Sequence, residues 1–329
     1  MEFIITDVNG RQVRMLSDYN ADFDLAGQKT FEVTLPAAQY SDDMTYGCRV
    51  FVAGTETGGL IGDIFTDTAS DTVSLIGLTW RGLMSKKIIR PPAGADYKTV
   101  SGELNAVIKQ VTAGMFGGLF KVTSAGTGKT IRSYSFDRYT TVLDGLEKML
   151  KQYGYRLKFS YNPGEPGGAG WVEVGAVPIV DRSGEIELSQ DNRLNFTIED
   201  DRTGINHLIV GGTGELKDRA IVDLYVQADG TISQTPYYTG LQEIAEFYDF
   251  PASSDTAELV AAGEKQLAEI CSKKTFRMNV ERLDLDIDIG DIIGGRDHIT
   301  GLTVKKALIN KIITITNGQQ AIDYIVEGE

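Results

Sequence analysis

The string in this 329-residue chain that most invites chemistry is Ala125, Gly126, Thr127, Gly128, Lys129, Thr130, which has the shape of the end of a phosphate-binding loop. Such a loop needs a glycine five positions before Gly128, and it must open a helix whose first amides point at the phosphates. Position 123 is threonine, and Ile131 to Phe136 alternates apolar and polar residues as a strand does. The expectation is a glycine-rich hairpin turn that binds no nucleotide. Gly211, Gly212, Thr213, Gly214 follows the apolar run Leu208 to Val210 and fails the dinucleotide test in the same way. Strand-like Ile221 to Val226 comes next, where a helix is required.

Asp284, Asp286, Asp288 and Asp291 are spaced like the first ligands of a calcium loop, but the sixth position is Ile289 instead of glycine and the twelfth is Gly295 instead of glutamate. Alternation with Leu283, Leu285, Ile287 and Ile289 predicts a strand with one apolar and one acidic face. Three unpaired carboxylates cannot be buried, so the face with Asp284, Asp286 and Asp288 is expected to meet solvent or a lumen. His207 and His298 are the only histidines, and neither has Cys, His or paired carboxylates at metal-ligand spacing. Cys48 and Cys271 match no redox or metal spacing and read as small buried apolar residues. A Ser, His and Asp triad need not be contiguous, but no serine sits in a G-x-S-x-G elbow. The residues assign no catalytic, cofactor-binding or metal-binding position, and the expectation is a protein that is not an enzyme.

Around these residues, the pattern from Met1 to about Pro92 is strand-like, with runs at Phe31 to Leu35, Arg49 to Val52 and Thr72 to Leu78, closed by Pro91 and Pro92. Ser101 is expected to cap a helix carrying Leu104, Val107, Ile108 and Val111 inward, ended at Gly114. Thr141 and Asp144 form a capping-box-like pair for a second helix with Leu143, Leu146 and Leu150 on one stripe and Gly154 as its stop. A hairpin follows, with arms Tyr155 to Tyr161 and Trp171 to Val177 and a Pro- and Gly-rich tip. Beyond Asp181 strands resume. They are interrupted by a short predicted helix through Leu241, Ile244, Ala245 and Tyr248 and a longer one opened by Asp255 and Glu258, with Leu259, Gly263, Leu267 and Ile270 facing in. Leu60 to Thr68 aligns with Leu308 to Thr316, each behind a glycine-started strand at Gly47 and Gly290, as a repeated β unit would. The expected domains are 1–92 (β), 93–182 (α+β) and 183–329 (β), the last with a peripheral helical insertion at about 239–275.

Lys and Arg number 32 against 46 Asp and Glu, a net charge of −14, which opposes the counterion-releasing contacts on which DNA binding depends. A chain of this length buries about 75% of its unfolded surface, enough to need no metal or disulfide staple. The start, Met1 to Asp7, lacks the basic, apolar and cleavage regions of a signal peptide. Ala113 to Phe120 is far short of the ~20 apolar residues that span a bilayer, so a soluble chain without membrane insertion is expected.

Three blocks carry a family resemblance. Ser74 to Gly94, SLIGLTWRGLMSKKIIRPPAG, resembles the end of the first barrel in siphophage tail-hub proteins, and His207 to Tyr225, HLIVGGTGELKDRAIVDLY, resembles the opening of their second half. Ile289 to Asp297, containing GDIIGGRD, is similar to the last β unit of those proteins and of the hubs of contractile tails. The resemblance implies an α+β, mainly β chain with two hub-type β-barrel domains flanking a small α+β domain. It also implies a homotrimer whose ring of six similar barrels adapts a sixfold tail tube to a threefold tip. Its partners would be the distal tail protein or tail tube, the tape measure, and a spike, fibre or lysin-bearing tip component. Its place would be the virion tail tip, after synthesis in the bacterial cytoplasm. No fused hydrolase or receptor-binding region is expected before Glu329. The competing readings are a tail-tip cell-wall hydrolase or peptidase, and the equivalent hub of a phage-derived injection machine.

Overall fold

The computed structural model describes residues 1–183, 194–272, 274–280, 287–296, 301 and 303–326. Strands dominate, and four α-helices occur among the described residues: α1 (Trp80–Ser85), α2 (Leu104–Thr112), α3 (Val142–Gln152) and α4 (Thr256–Ile270). The chain divides into two compact units. A main unit holds residues 1–196 and 277–327, and an inserted unit holds 197–276. The strands Leu194–Asp200 and Lys274–Val280 carry the chain across the division.

One large open sheet of the main unit runs in the order Leu194–Asp200, Lys274–Val280, Gln319–Val326, Thr303–Thr316, Asn20–Asp24, Thr30–Pro36, Thr72–Thr79, Gly58–Asp67, Arg49–Phe51, Ile4–Thr6, Gln12–Met15, and Ile292–Arg296 also pairs with Thr303–Thr316. The two barrels implied by the resemblance are absent among the described residues, where no sheet closes. The reason lies in the pairing of Ile312–Ile315 with Asp24–Ala21, which merges the strands from both ends of the chain into one sheet. Alternation drives this sheet: Phe23, Phe31, Val33 and Leu35 are buried while their neighbours Asp22 and Glu32 are exposed. Phe3, Phe23 and Phe31 stack in a row with ring centroids 5.0 Å apart.

Residues 80–178 pack as the α+β part of the same unit. Strands Tyr155–Asn162 and Trp171–Pro178 form the expected hairpin, with Phe120–Val122 added in parallel. α2 and α3 bury Val107, Ile108, Leu146 and Leu150 in one core with Trp80 and Phe159. α1 is missed by the sequence pattern, which reads as continuous strand to Pro92; the Thr79 hydroxyl caps it through the Gly82 amide. The cap of α2 is Glu103, not Ser101, because Ser101 lies in the strand Thr99–Glu103. Thr141 caps α3 as expected, and Gly154 follows its end in a left-handed conformation (φ +76°).

The inserted unit is a four-stranded sheet ordered Ile232–Ser233, Ile221–Val226, His207–Gly211, Ala245–Asp249. α4 covers one face, with Leu259 and Leu267 buried on Leu208, Val210 and Leu224. At Gly263 an added Cβ would come within 2.5 Å of Leu224, so only glycine permits this approach. Two expectations change here. Ala245–Asp249 is a strand, not a helix, because its backbone pairs in parallel with His207–Gly211. The segment 239–275 is also no peripheral insertion, since α4 forms this unit's core.

Arg81 ties the parts of the main unit together. It is 2% exposed, donates to Glu56 Oε1 at 2.5 Å and Glu147 Oε1 at 2.6 Å, and sits 4.9 Å over the Phe159 ring. Burial alone would lower its pKa, but the two carboxylates outweigh that and raise it. Arg81→Ala strands Glu56 in a mostly buried place and is expected to cost about 3 kcal/mol, read as a lower urea midpoint with an unchanged slope. Arg81→Lys should recover only part of this loss, since one ammonium cannot reproduce the fork to both partners.

Candidate functional site

The glycine-lysine loop is a turn ahead of the strand Thr130–Ser135, and its polar groups are already taken. Thr127 N and Oγ1 donate to Glu103 Oε1 at 2.8 and 2.5 Å, while Ala106 N donates to the other oxygen at 3.0 Å. Burial pushes the Glu103 carboxyl up, but these hydrogen bonds outweigh it and hold the pKa below the ordinary glutamate value. A carboxylate thus occupies the place where a phosphate would have to sit. Beside the loop opens a cavity of about 490 Å³ lined by residues that include Asn105, Thr127, Lys158, Ser160 and Glu173, with no histidine, cysteine or aspartate. Asn105 is committed to backbone, accepting from Ala176 N and donating to Ala125 O.

Gly211–Gly214 also holds no ligand-binding helix. Arg219 covers it, donating to the carbonyls of Gly211 and Gly212 and to Asp249. Asp284, Asp286 and His298 lie outside the described residues. Residues 287–291 form a turn, and Asp291 is buried with both oxygens on Arg156: Oδ1 accepts from Nε at 2.7 Å and Oδ2 from an Nη at 3.0 Å. Asp288 accepts from the same guanidinium at 3.1 Å. This is a structural ion pair and not a calcium loop; no group of three or more metal-ligating side chains occurs among the described residues.

His207 sits between carboxylates, Nδ1 at 2.5 Å from Glu243 and Nε2 at 2.9 Å from Asp223, with its ring stacked 4.2 Å from that of Tyr225. Both ring nitrogens are engaged, so neither is left to serve as a base or a ligand. Cys48 is buried, which pushes its thiol pKa up, and Cys271 is half-buried; both are free thiols.

What the structure does build is a repeated strand module. Gly47, at φ +85°, donates its N–H to Ile61 O at 2.9 Å, and Ile61 N returns to Cys48 O at 2.9 Å. Gly290, at φ +99°, donates to Leu308 O at 2.7 Å, and Leu308 N returns to Asp291 O at 2.8 Å. After each glycine a short strand, Arg49–Phe51 or Ile292–Arg296, pairs with the start of a long one, Gly58–Asp67 or Thr303–Thr316. Each long strand then shifts register one residue beyond the clamp, between Ile61 and Asp63 or between Leu308 and Asn310. Each finally pairs with the strand that follows it, Thr72–Thr79 or Gln319–Val326. The repeat seen in the sequence is therefore present, displaced by one residue: the clamp matches Ile61, not Leu60, to Leu308.

No protein-family model matches the sequence, and no curated protein is similar to it in sequence. The fold is similar to that of the 43 kDa tail protein of prophage MuSo2 from Shewanella oneidensis, with a TM-score of 0.57 at 13% identity, over 99% of this chain and 98% of that one. A chain of the phage P2 virion baseplate in its activated conformation gives 0.54 at 13% identity, over 98% of each chain. The chain has the fold of phage tail proteins. Prophage tail protein gp18 from Listeria monocytogenes EGD-e agrees at 0.50 and 11% identity, over 99% of this chain and 94% of that one. The tail-protein fold thus spans both compact units, and the clamped module lies within it.

The clamps predict a difference between two like substitutions. Gly47→Ala adds a Cβ to open space and pays only for the left-handed backbone, about 1 kcal/mol. Gly290→Ala sets its Cβ 2.8 Å from Arg156, so it should cost more, in chemical denaturation, than Gly47→Ala. Lys129→Ala, by contrast, is expected to leave the melting temperature within a degree or so. ATP titrated calorimetrically into the unsubstituted protein should give no saturable heat.

Proposed function

We propose that this chain is a structural, non-enzymatic tail-hub protein of a tailed phage or prophage, which closes into a ring joining the tail tube to the tip or spike. The observation that carries this reading is the repeated module with its two glycine clamps. A chain with two equivalent strand modules offers two equivalent contact positions, so three copies present six. A threefold ring of that kind can seat on a sixfold tube while showing threefold symmetry to a tip component. Head-to-tail contacts close such a ring when the rotation between copies is a whole fraction of a turn.

The tail-protein fold supports this reading at the level of architecture. The non-enzymatic part of the proposal is supported by where the suspicious side chains go: Glu103 holds the loop at Thr127, Asp291 holds Arg156, and His207 is held at both nitrogens. An acidic chain also suits a conduit for DNA, because phosphates are repelled and slide past instead of sticking. The partners proposed are further copies of the chain, the tail tube or distal tail protein, the tape measure, and a tip component, all within the virion.

Mass photometry of the purified chain across a concentration series is expected to show a three-chain species. Negative-stain class averages of that species should show six comparable densities around a central lumen. A closed ring of any other copy number, or a threefold ring with only three densities, would overturn the proposal.

A further inference from the structure

Charge is divided along this chain very unevenly. Residues 80–151, from the start of α1 into the last turn of α3, hold twelve of the 32 Lys and Arg and five of the 46 Asp and Glu, a formal +7. The remaining 257 residues therefore carry −21. Part of the basic share is internal, since Arg81 is buried. Several of the others gather at one edge. The segment after α1 runs beside the segment before α3, with Ile89 N donating to Thr140 O at 2.9 Å and Val142 N to Lys87 O at 2.8 Å. Phe136 N donates to Lys98 O at 3.0 Å, bringing the chain around Tyr97 to the same place.

Lys86, Lys87, Arg90 and Arg138 are exposed there and have no ion-pair partner among the described residues, while the nearby Asp137 is taken by Lys148 at 2.6 Å. Two tyrosines stand among these cations: Tyr97 is 52% exposed and Tyr139 is 60% exposed. Tyr139 is also held at φ +58°, a conformation that bulky side chains rarely adopt, and Arg138 lies 5.5 Å over its ring. Exposed tyrosine and arginine together are the residue types enriched where protein surfaces meet.

The chain carries a matching acidic surface as well. On the large sheet Asp22 sits directly opposite Glu32, both exposed, and like charges so placed destabilise an isolated sheet. Burial and then the charges of Asp24, Glu32 and Asp323 push the Asp22 carboxyl up. A cationic surface laid over this pair would remove the repulsion.

We infer that the basic, tyrosine-bearing edge formed by Lys86, Lys87, Arg90, Arg138, Tyr97 and Tyr139 docks onto the acidic sheet face around Asp22 and Glu32 of a second copy of this chain. The contact is heterologous, one face against a different face, and it deepens the ring reading above, on which it rests for the closure of successive copies. Charge complementarity sets the order and register of the copies and speeds their encounter.

The test compares the full chain with Lys86→Glu, Lys87→Glu, Arg138→Glu in one variant, using mass photometry for the ring and static light scattering for weaker attraction. Self-association of the unsubstituted chain should weaken about tenfold between about 0.05 and 0.5 M NaCl, because exposed charge pairs are screened over that range. The charge-reversed variant should lose association at low salt, and adding Asp22→Lys with Glu32→Lys should restore it. If the reversed variant does not melt cooperatively, Lys86→Gln, Lys87→Gln, Arg138→Gln replaces it. A ring that ignores both salt and reversal overturns this contact and leaves the ring reading standing. Attraction that depends on these residues without any ring supports the contact and overturns the ring. No attraction in the unsubstituted chain overturns the contact. So does saturable binding of labelled duplex DNA that the reversal abolishes while self-association is unchanged, since the edge would then serve nucleic acid.

Discussion

The main unit depends on a pairing between residues almost a full chain length apart. Ile312–Ile315 lies antiparallel to Asp24–Ala21, and Asn310 pins the register. Its Oδ1 accepts from Ala26 N at 2.8 Å, its Nδ2 donates to Asp24 Oδ1 at 2.9 Å, and Leu25 N reaches Lys311 O at 3.1 Å. Closing so long a loop costs little more than closing a moderate one, because loop entropy grows only logarithmically, about 0.6 kcal/mol per doubling. The cost appears in rate instead: pairings of high sequence separation form late. Without this seam the second module would have no neighbour on the large sheet, and the two modules would be separate hairpins.

The modules share a backbone but not an anchor. In the first, the residue after the clamp glycine is Cys48, a small apolar side chain that is fully buried. In the second it is Asp291, equally buried, whose charge is tolerable only because Arg156 meets it through two nitrogens. Val180 N also donates to Asp291 Oδ1 at 2.9 Å, so one carboxylate joins the second module to the strand pair 155–178 and the segment after it. The first module reaches the same hairpin differently, through Arg49, which donates to Tyr161 Oη at 3.2 Å and Gly170 O at 2.6 Å. Both modules are thereby fastened to one hairpin by an arginine, one placed in the module and the other in the hairpin.

Much of this was legible in the residues, and the misreadings have physical causes. Helices with local caps could be read: Thr141 with Asp144, and Asp255, whose carboxylate accepts from Ala257 N and Glu258 N. The hairpin 155–178 was legible because its strands alternate cleanly on either side of a Pro- and Gly-rich tip. α1 was hidden because Trp80, Arg81 and Met84 are all buried, which leaves no amphipathic stripe. Ala245–Asp249 took a strand conformation from its partner, and nothing within the segment says so. The open sheet replaced the expected barrels because register across nearly 300 residues is written in no local pattern. The repeat was visible but slipped by one, since apolar identity alone cannot place a bulge, whereas the hydrogen bonds of Gly47 and Gly290 can.

Three of the sites that invite chemistry share one fate. In each a carboxylate stands where chemistry would need an open position, and in each it accepts hydrogen bonds from the chain itself. Glu103 takes the amides of Thr127 and Ala106; Asp291 takes Arg156 and the amide of Val180; Glu243 and Asp223 close on His207. A general acid or base must exchange a proton with a substrate, so it needs one face free and a pKa near the working pH. A carboxylate engaged by donors of its own chain instead holds backbone segments in register. Exposed charges without an ion-pair partner among the described residues, such as Lys87 and Arg138, are free of such duties.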